Sequence, residues 1–140
     1  MKEFSLPIRV YIEDTDAGGI VYYVNYLKYL ERARTEFMRN LGVHRAALSD
    51  DGWSFVVSRL SVSYLMPAKL DDEVMATVTT QQVGGATIEF TQRIRRGDDV
   101  LLMADVQIAC VDQTTGRPRR LQGHIRERLL AAMTTERDQV

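Results

Sequence analysis

The feature that most restricts the fold is a change in the spacing of apolar residues near Gly52. Before it, over residues 23–41, apolar side chains recur at intervals of three and four and lie within an arc of about 140°. After it, apolar and polar residues alternate with a period of two, which is typical of half-buried strands. The sequence therefore predicts one long amphipathic helix followed by a sheet.

The carboxyl end of this helix has a clearer signal than its start. Gly42 stands where a left-handed residue would cap the helix. At the other end, Asn25 is a residue type that favours the N-cap position, whereas the periodic pattern already includes Tyr23. We leave the first residue of the helix open on this evidence.

Four alternating stretches after the helix predict four strands, over residues 60–66, 74–78, 88–94 and 100–110. Gly84-Gly85 and Gly97-Asp98 supply turn residues between them, so consecutive hairpins and an antiparallel sheet are expected. A short strand over residues 8–12 precedes the helix, and a final short helix is expected over residues 123–133. This order indicates an α+β domain in which the helix covers one face of a curved sheet.

Length and composition exclude several classes of protein. The 140 residues predict a single domain over residues 1–140, with a frayed tail over residues 134–140. A net charge of -1 without a basic block argues against a nucleic-acid partner, and no apolar run approaches the roughly 20 residues of a membrane helix. The first seven residues lack a secretory apolar stretch, so we expect a cytoplasmic protein. Cys110 falls in a strand alternation and is expected in the core.

The densest unusual segment lies between the first strand and the long helix, where Glu13, Asp14 and Asp16 place three carboxylates in four positions. Such a cluster supplies a base, a nucleophile or metal ligands, although a solvated turn is the commoner meaning of Asp beside Gly. Gly18-Gly19 permits close backbone approach, and the following helix start presents free N–H groups. A carboxylate beside such donors is what hydrolysis of an activated acyl group requires.

This segment and several later motifs resemble the 4-hydroxybenzoyl-CoA thioesterase family, especially its YbgC-like branch. The matching motifs cover most of the chain and are Tyr11-x-Glu13-Asp14-Thr15-Asp16-Ala17-Gly18-Gly19-Ile20-Val21-Tyr22, Tyr26, Glu31-Arg32-Ala33-Arg34-Thr35-Glu36, Arg59-x-x-Val62-x-Tyr64, Pro67-Ala68-x-Leu70-Asp71-Asp72, Phe90-Thr91-Gln92-Arg93-Ile94 and Cys110-Val111-Asp112. The resemblance implies a hot-dog fold, in which a five-stranded antiparallel sheet wraps around a long central helix.

The same resemblance assigns roles within the acidic segment. It makes Asp16 the catalytic carboxylate, as nucleophile or as general base, and Asp14 a supporting residue. It also makes the backbone N–H of Tyr23 the donor that polarises the thioester carbonyl, which favours a helix starting before Asn25. Close relatives often carry His in place of Tyr23, so no imidazole role is carried over. The remaining residues expected to bind substrate are Gly18, Gly19, Ile20, Val21 and Tyr22.

The implied activity is hydrolysis of an acyl-CoA thioester to a free acid and coenzyme A, without a metal or redox cofactor. A noncatalytic protein that binds an acyl carrier protein or serves as an envelope-associated scaffold is the alternative, and a hot-dog dehydratase ranks third. The resemblance also implies a homodimer or homotetramer with each site at a subunit boundary. Outward apolar residues such as Met75, Leu101 and Met103 agree with such an association.

Arg34 and the two histidines lie outside this expected site. Arg34 falls within the apolar arc of the helix, and Glu31 is its expected ion-pair partner. His44 and His124 have no second ligand at metal-site spacing, so both are expected to be structural or exposed.

Overall fold

The computed structural model of the protein describes residues 3–135. Its elements in chain order are β1 (Glu3–Arg9), a 3-10 turn (Ile12–Asp14), α1 (Asn25–Asn40), β2 (Trp53–Tyr64), β3 (Glu73–Val83), β4 (Thr87–Arg96), β5 (Asp99–Asp112) and α2 (Gly123–Thr135). The five strands form one antiparallel sheet in the order β1-β3-β4-β5-β2. Helix α1 packs against β1, β3 and β4. This arrangement confirms the predicted α+β hot-dog fold.

The end of α1 forms a Schellman motif around the predicted cap. Gly42 has a φ of 85°, its N–H binds the carbonyl of Arg39 at 2.9 Å, and the Val43 N–H binds the carbonyl of Met38 at 2.9 Å. At the start, the helix begins at Asn25 and not before it, so the expectation of an earlier start is wrong. Val24 is the N-cap residue, and the Asn25 side chain donates to the Asp14 carbonyl at 2.8 Å instead of capping the helix.

Two predicted strand positions also need correction. The first strand covers Glu3–Arg9 and not residues 8–12, since Val10 leaves the sheet and its N–H binds the Asp72 carbonyl at 2.9 Å. Pro7 obscured this strand, although a proline is tolerated here because β1 is an edge strand. β2 begins seven residues earlier than residue 60, and a bulge between Val57 and Arg59 breaks its alternation.

The outer face of the sheet exposes fewer apolar side chains for association than the sequence predicted. Leu101 is buried, so it cannot form part of an association surface. Met103 is 39% exposed, and Met75 is partly buried. Helix α2 confirms the predicted final helix and extends through Thr135, two residues into the expected tail. The rest of the expected tail, residues 136–140, lies outside the described residues. Cys110 is buried as expected, and both histidines are exposed.

A buried polar bridge joins α1 to the sheet. Gln92 is fully buried on β4, and its amide donates to the carbonyls of Leu30 at 3.0 Å and Thr77 at 3.3 Å. Its side-chain oxygen accepts a 2.9 Å hydrogen bond from Arg34, so the expected Arg34–Glu31 ion pair is wrong. Burial lowers the pKa of Arg34, and the charge of Glu31 opposes that shift. A buried amide on β4 therefore links α1 to the neighbouring strand β3.

We predict that Gln92→Leu destabilises the fold by about 2–4 kcal/mol, because the Arg34 guanidinium loses its acceptor while it remains largely buried. The double variant Arg34→Met/Gln92→Leu should lose less than the sum of the two single variants, since it leaves neither partner unpaired. Urea unfolding of all four proteins measures this coupling. Strictly additive losses would show that the bridge has no energetic coupling.

Candidate active site

The acidic segment folds as a small hairpin, which we call the acidic hairpin (residues 15–21). Thr15 and Val21 form an antiparallel bridge, the Asp16 N–H binds the Ile20 carbonyl at 2.9 Å, and the Gly19 N–H binds the Asp16 carbonyl at 3.1 Å. Gly19 closes the turn with a φ of 77°, a left-handed conformation that favours glycine. Asp16 thus stands at the start of a tight turn, immediately before α1.

The Asp16 carboxylate is exposed, and only one of its oxygens is engaged within the described chain. Oδ1 accepts a 2.8 Å hydrogen bond from the Gly18 N–H, which is the Asx-turn geometry of an ordinary Asp-Gly turn. Among the described residues, no donor bonds Oδ2. The turn therefore fixes the orientation of the carboxylate while it leaves one anionic oxygen open to a ligand.

Asp14 connects this hairpin to the start of α1. Its Oδ2 accepts the Tyr11 N–H at 2.9 Å, and its carbonyl accepts both the Tyr22 N–H at 3.0 Å and the Asn25 side chain. Beneath it lies the buried Tyr29, whose pKa is raised by burial and further by the Asp14 charge. The Tyr29 hydroxyl makes no hydrogen bond of normal geometry with the described chain, Asp14 included. These hydrogen bonds give Asp14 a structural role, and its supporting role in catalysis stays a prediction.

The backbone before α1 presents an unused donor. The N–H groups of Val21 and Tyr22 are bonded to the carbonyls of Ala68 and Asp14, at 2.9 and 3.0 Å. By contrast, the Tyr23 N–H makes no hydrogen bond with any described residue. It precedes a 16-residue helix, whose amino end carries partial positive charge. An oxygen that develops negative charge would find a donor here.

Part of the expected substrate-binding set lines a cavity of about 250 Å³, which we call the tyrosine cleft. Its walls are Ile20, Val21, Tyr23, Tyr26, Tyr64, Leu65, Met66 and Pro67. The other expected site residues, Asp16, Gly18, Gly19 and Tyr22, do not line it, although all belong to the acidic hairpin or adjoin it. The Tyr22 and Tyr23 rings are 4.9 Å apart, and the Tyr64 hydroxyl donates to the Tyr23 carbonyl at 3.3 Å.

No functional role was predicted for the segment after β2, which we call the cover loop (residues 65–72). The carbonyl of Ala68 accepts the Val21 N–H, and the N–H of Ala68 donates to the buried Tyr26 hydroxyl at 2.9 Å. The Leu70 N–H binds the Gly19 carbonyl at 3.1 Å. Burial raises the pKa of Tyr26, so this hydroxyl stays protonated at neutral pH. The cover loop therefore holds the acidic hairpin and forms one wall of the cleft.

An ion pair fixes the cover loop in turn. Arg96 binds the Asp72 carboxylate at 2.8 Å and the Pro67 carbonyl at 3.3 Å, and the same carboxylate accepts the Lys69 N–H at 2.9 Å. Partial burial acts to raise the pKa of Asp72, but the bonds and charge from Arg96 and Lys69 outweigh it and hold the pKa below its usual range. The only sequence signal for this arrangement was the Pro67-to-Asp72 motif.

Over residues 3–135 no group of three or more His, Cys, Asp or Glu side chains is arranged to hold a metal ion. No helix in the same part of the chain is long and apolar enough to cross a membrane.

Comparison with known proteins shows the family. A family model described as the thioesterase superfamily (4HBT) matches residues 18–103. The chain belongs to this superfamily. Its matched range starts at Gly18, so Asp16 lies just outside it. The predicted family and its class of enzyme, thioester hydrolases, are thereby confirmed.

Relatives in the thioesterase superfamily match most of the chain. It is 47% identical over 116 residues to the acyl-CoA thioesterase YbgC of Haemophilus influenzae, which covers 82% of this chain and 85% of that protein. It is 43% identical over 121 residues to the acyl-CoA thioester hydrolase YbgC of Escherichia coli O6:H1, with 84% and 89% covered. These similarities confirm the YbgC-like assignment.

Solved structures of the superfamily agree with the fold. A probable thioesterase from Bartonella henselae superposes with a TM-score of 0.81 at 32% identity, over 86% of this chain and all (100%) of that one. A DHNA-CoA thioesterase from Staphylococcus aureus superposes with a TM-score of 0.90 over 100% of this chain and 97% of that one. At 19% identity the second match is evidence for the fold alone.

We predict that Asp72→Asn destabilises the protein by about 1–3 kcal/mol at pH 7, because charged hydrogen bonds to Arg96 and Lys69 are weakened. The folded-state pKa of Asp72 is depressed, so its contribution is present above the unfolded-state pKa near 4 and is lost as the pH falls through the folded-state value. The difference between wild type and variant should therefore shrink at pH 3. Urea unfolding at both pH values measures it.

Asp71→Asn is the matched control, since Asp71 has a φ of 70° that Asn tolerates and its carboxylate is not bonded to any described residue. It should leave stability nearly unchanged at both pH values. Equal losses in the two variants, or a loss in Asp72→Asn that is independent of pH, would contradict the role given to the Asp72–Arg96 pair.

Proposed function

We propose that the protein is an acyl-CoA thioesterase that hydrolyses its substrate to a free carboxylic acid and coenzyme A. The observation that carries this proposal is the juxtaposition, on one short stretch of chain, of a fixed carboxylate with an open oxygen at Asp16 and an unused donor at the Tyr23 N–H. Membership of the thioesterase superfamily and the printed activities of the YbgC relatives support it.

In the proposed reaction, the Tyr23 N–H donates to the thioester carbonyl oxygen and stabilises the charge that develops there. In one route, Asp16 attacks the carbonyl carbon, the C–S bond breaks and coenzyme A leaves as a thiolate; water then hydrolyses the mixed anhydride to the free acid and Asp16. In the other route, Asp16 removes a proton from water as the water attacks the carbonyl carbon, and the same C–S bond breaks to release coenzyme A and the free acid. The acyl portion lies along the tyrosine cleft. Gly18, Gly19 and Tyr22 flank the reacting group, and the two glycines allow the substrate to approach the backbone of the hairpin closely.

We predict that Asp16→Asn lowers turnover of acyl-CoA by at least about a hundredfold, because it deletes the anionic oxygen that either route needs. The Asn oxygen still accepts the Gly18 N–H, so the turn and the fold should persist. Released thiol, measured across acyl-CoA and acyl carrier protein substrates of varied length and aromaticity, is the readout.

Asp14→Asn serves as the comparison, since the Asp14 carboxylate bonds the Tyr11 N–H and should affect chemistry less. A folded Asp16→Asn protein with near-normal turnover would overturn the assignment. A wild-type protein that binds these thioesters but releases no thiol would favour the alternative of a noncatalytic, envelope-associated scaffold for an acyl carrier protein.

Single turnover in heavy-oxygen water separates the two routes open to Asp16. Attack by Asp16, followed by opening of the anhydride at the enzyme carboxyl carbon, leaves the label in the protein. Direct attack by water labels only the released acid, as does opening of the anhydride at the acyl carbon. Label in the protein is therefore the result that identifies the anhydride route.

We also propose that the protein is a homodimer, or a tetramer built from dimers, associating through β2. Within residues 3–135 this strand pairs only with β5, and its free edge carries apolar side chains of which Val57 is 48% and Leu60 40% exposed. A bare apolar edge is a template for pairing with another strand. Because Tyr64 ends β2 and lines the tyrosine cleft, a second copy on this edge would lie beside the site.

A cytoplasmic location remains a prediction.

We predict that Val57→Lys dissociates the assembly, because a charge on the pairing edge opposes association with a second copy. Met103→Lys, on the exposed outer face, is the matched control and should leave the assembly intact. Sedimentation analysis at micromolar concentration distinguishes them. A monomeric, fully active wild type would refute the proposal, and dissociation by Met103→Lys alone would place the interface on the outer face.

A further inference from the structure

The last residue of β2 makes a hydrogen bond directly beside the proposed carbonyl donor. The Tyr64 hydroxyl donates to the Tyr23 carbonyl at 3.3 Å, although the two residues are 41 positions apart in sequence. No backbone N–H of the described chain bonds this carbonyl, and the Leu27 N–H in the first turn of α1 binds the Val24 carbonyl at 3.1 Å. A tyrosine on the sheet therefore supplies a hydrogen bond that the start of α1 does not.

The peptide group that carries the Tyr23 N–H is fixed within its own turn. The carbonyl of this group belongs to Tyr22 and accepts the Asn25 N–H at 2.8 Å. In a trans peptide the C=O and N–H bonds point in opposite directions, so the Tyr23 N–H points away from α1. This hydrogen bond fixes the donor relative to the helix, but it does not connect the donor to the tyrosine cleft.

Tyr64 makes that connection from a fixed position on the sheet. Within residues 3–135, its bond to Tyr23 is the only hydrogen bond that joins residues 22–24 to the five-stranded sheet. Tyr64 pairs with Leu102 of β5, and the N–H groups of the next two residues both bind the Leu101 carbonyl, at 2.8 and 3.1 Å. The end of β2 is therefore held on both sides of the tyrosine.

Ring contacts hold the Tyr64 side chain, which is 47% exposed. Its ring meets the Tyr23 ring edge-on with centroids 6.2 Å apart, and it lies 5.8 Å from the Tyr26 ring. Both separations are in the range of about 4.5–7 Å that favours aromatic pairs. Tyr26 is buried, and its hydroxyl accepts the Ala68 N–H of the cover loop. A buried ring thus supports the side chain that holds the Tyr23 carbonyl.

We infer, on the basis of the proposed function, that Tyr64 is a positioning residue: by holding the Tyr23 carbonyl it keeps the Tyr23 N–H directed at the thioester carbonyl in the tyrosine cleft. A donor stabilises a developing oxyanion only when the two atoms are about 2.7–3.1 Å apart. Removal of such a donor lowers kcat by about 10²–10³, and a displaced donor loses part of this factor.

Tyr64→Phe tests this role because it removes the hydroxyl and keeps the ring. We predict that kcat for acyl-CoA falls about tenfold, while KM stays within about twofold of the wild-type value. The urea concentration at half-unfolding should not change, because the lost hydrogen bond is exposed. A raised KM with an unchanged kcat would make Tyr64 a substrate-binding residue, and a loss of stability alone would make it a structural one. Either result would overturn the inference.

Ser63→Ala is the matched control. It removes the neighbouring hydroxyl on β2, which bonds no described residue, and Ser63 does not line the tyrosine cleft. Its kcat should equal that of the wild type. An equal fall in kcat in Ser63→Ala and Tyr64→Phe would show a general effect of changes in β2 and would overturn the inference.

The infrared band of the bound thioester carbonyl measures the donor directly. Asp16→Asn and Asp16→Asn/Tyr64→Phe proteins are each saturated with acyl-CoA that carries ¹³C at this carbonyl. Hydrogen bonding lowers the C=O stretching frequency, so the band should lie at higher frequency in the double variant. An unmoved band would overturn the inference alone if the wild type releases thiol and Asp16→Asn does not. A wild type that releases no thiol would overturn the proposed function, and this inference with it.

Discussion

The backbone hydrogen bonds between the acidic hairpin and the cover loop are the interaction on which the candidate site depends. The hairpin lies outside the five-stranded sheet, so its peptide groups need partners from elsewhere. Ala68 and Leu70 supply them to Val21 and Gly19, and Asp71 and Asp72 do the same for Val10. The result is a small second layer of pairing that positions Asp16 before α1.

The pairing between the acidic hairpin and the cover loop explains how an ordinary turn becomes part of the candidate site. By itself, the Asp16–Gly18 hydrogen bond is an ordinary Asx turn. Asp14, however, accepts hydrogen bonds from the chain before and after the hairpin. The backbone N–H that follows, that of Tyr23, has no hydrogen-bond partner in the described chain. Because the cover loop is fixed by the Asp72–Arg96 pair, residues far from the proposed chemistry control where the carboxylate lies relative to that donor.

The features of the fold that were predicted correctly depend on residues close together in sequence. The helix cap at Gly42, the hairpin turns and the strands with clean alternation follow from residue type and period. The start of β2 and the position of β1 do not, because a bulge breaks the alternation of one and a proline is tolerated on the free edge of the other. Within the site, the motif resemblance indicated Asp16 and Tyr23.

Contacts between distant segments could not be predicted in this way. The acceptor of Arg34 is Gln92, which is 58 residues away in sequence, whereas the local rule pointed to Glu31. The cover loop holds the acidic hairpin through backbone groups, which carry no side-chain signal. A cavity of about 470 Å³ likewise arises only where β1, the end of α1 and α2 meet. Tertiary packing decides all three features.

A crystal structure of the Asp16→Asn protein with a bound acyl-CoA tests the proposed mechanism directly. We expect the thioester carbonyl oxygen about 3 Å from the Tyr23 backbone nitrogen, with the Asn side chain about 3–3.5 Å from the carbonyl carbon or one water away from it. The acyl chain should enter the tyrosine cleft. A thioester bound with its carbonyl away from Tyr23, or on a surface that excludes residue 16, would contradict the proposed mechanism.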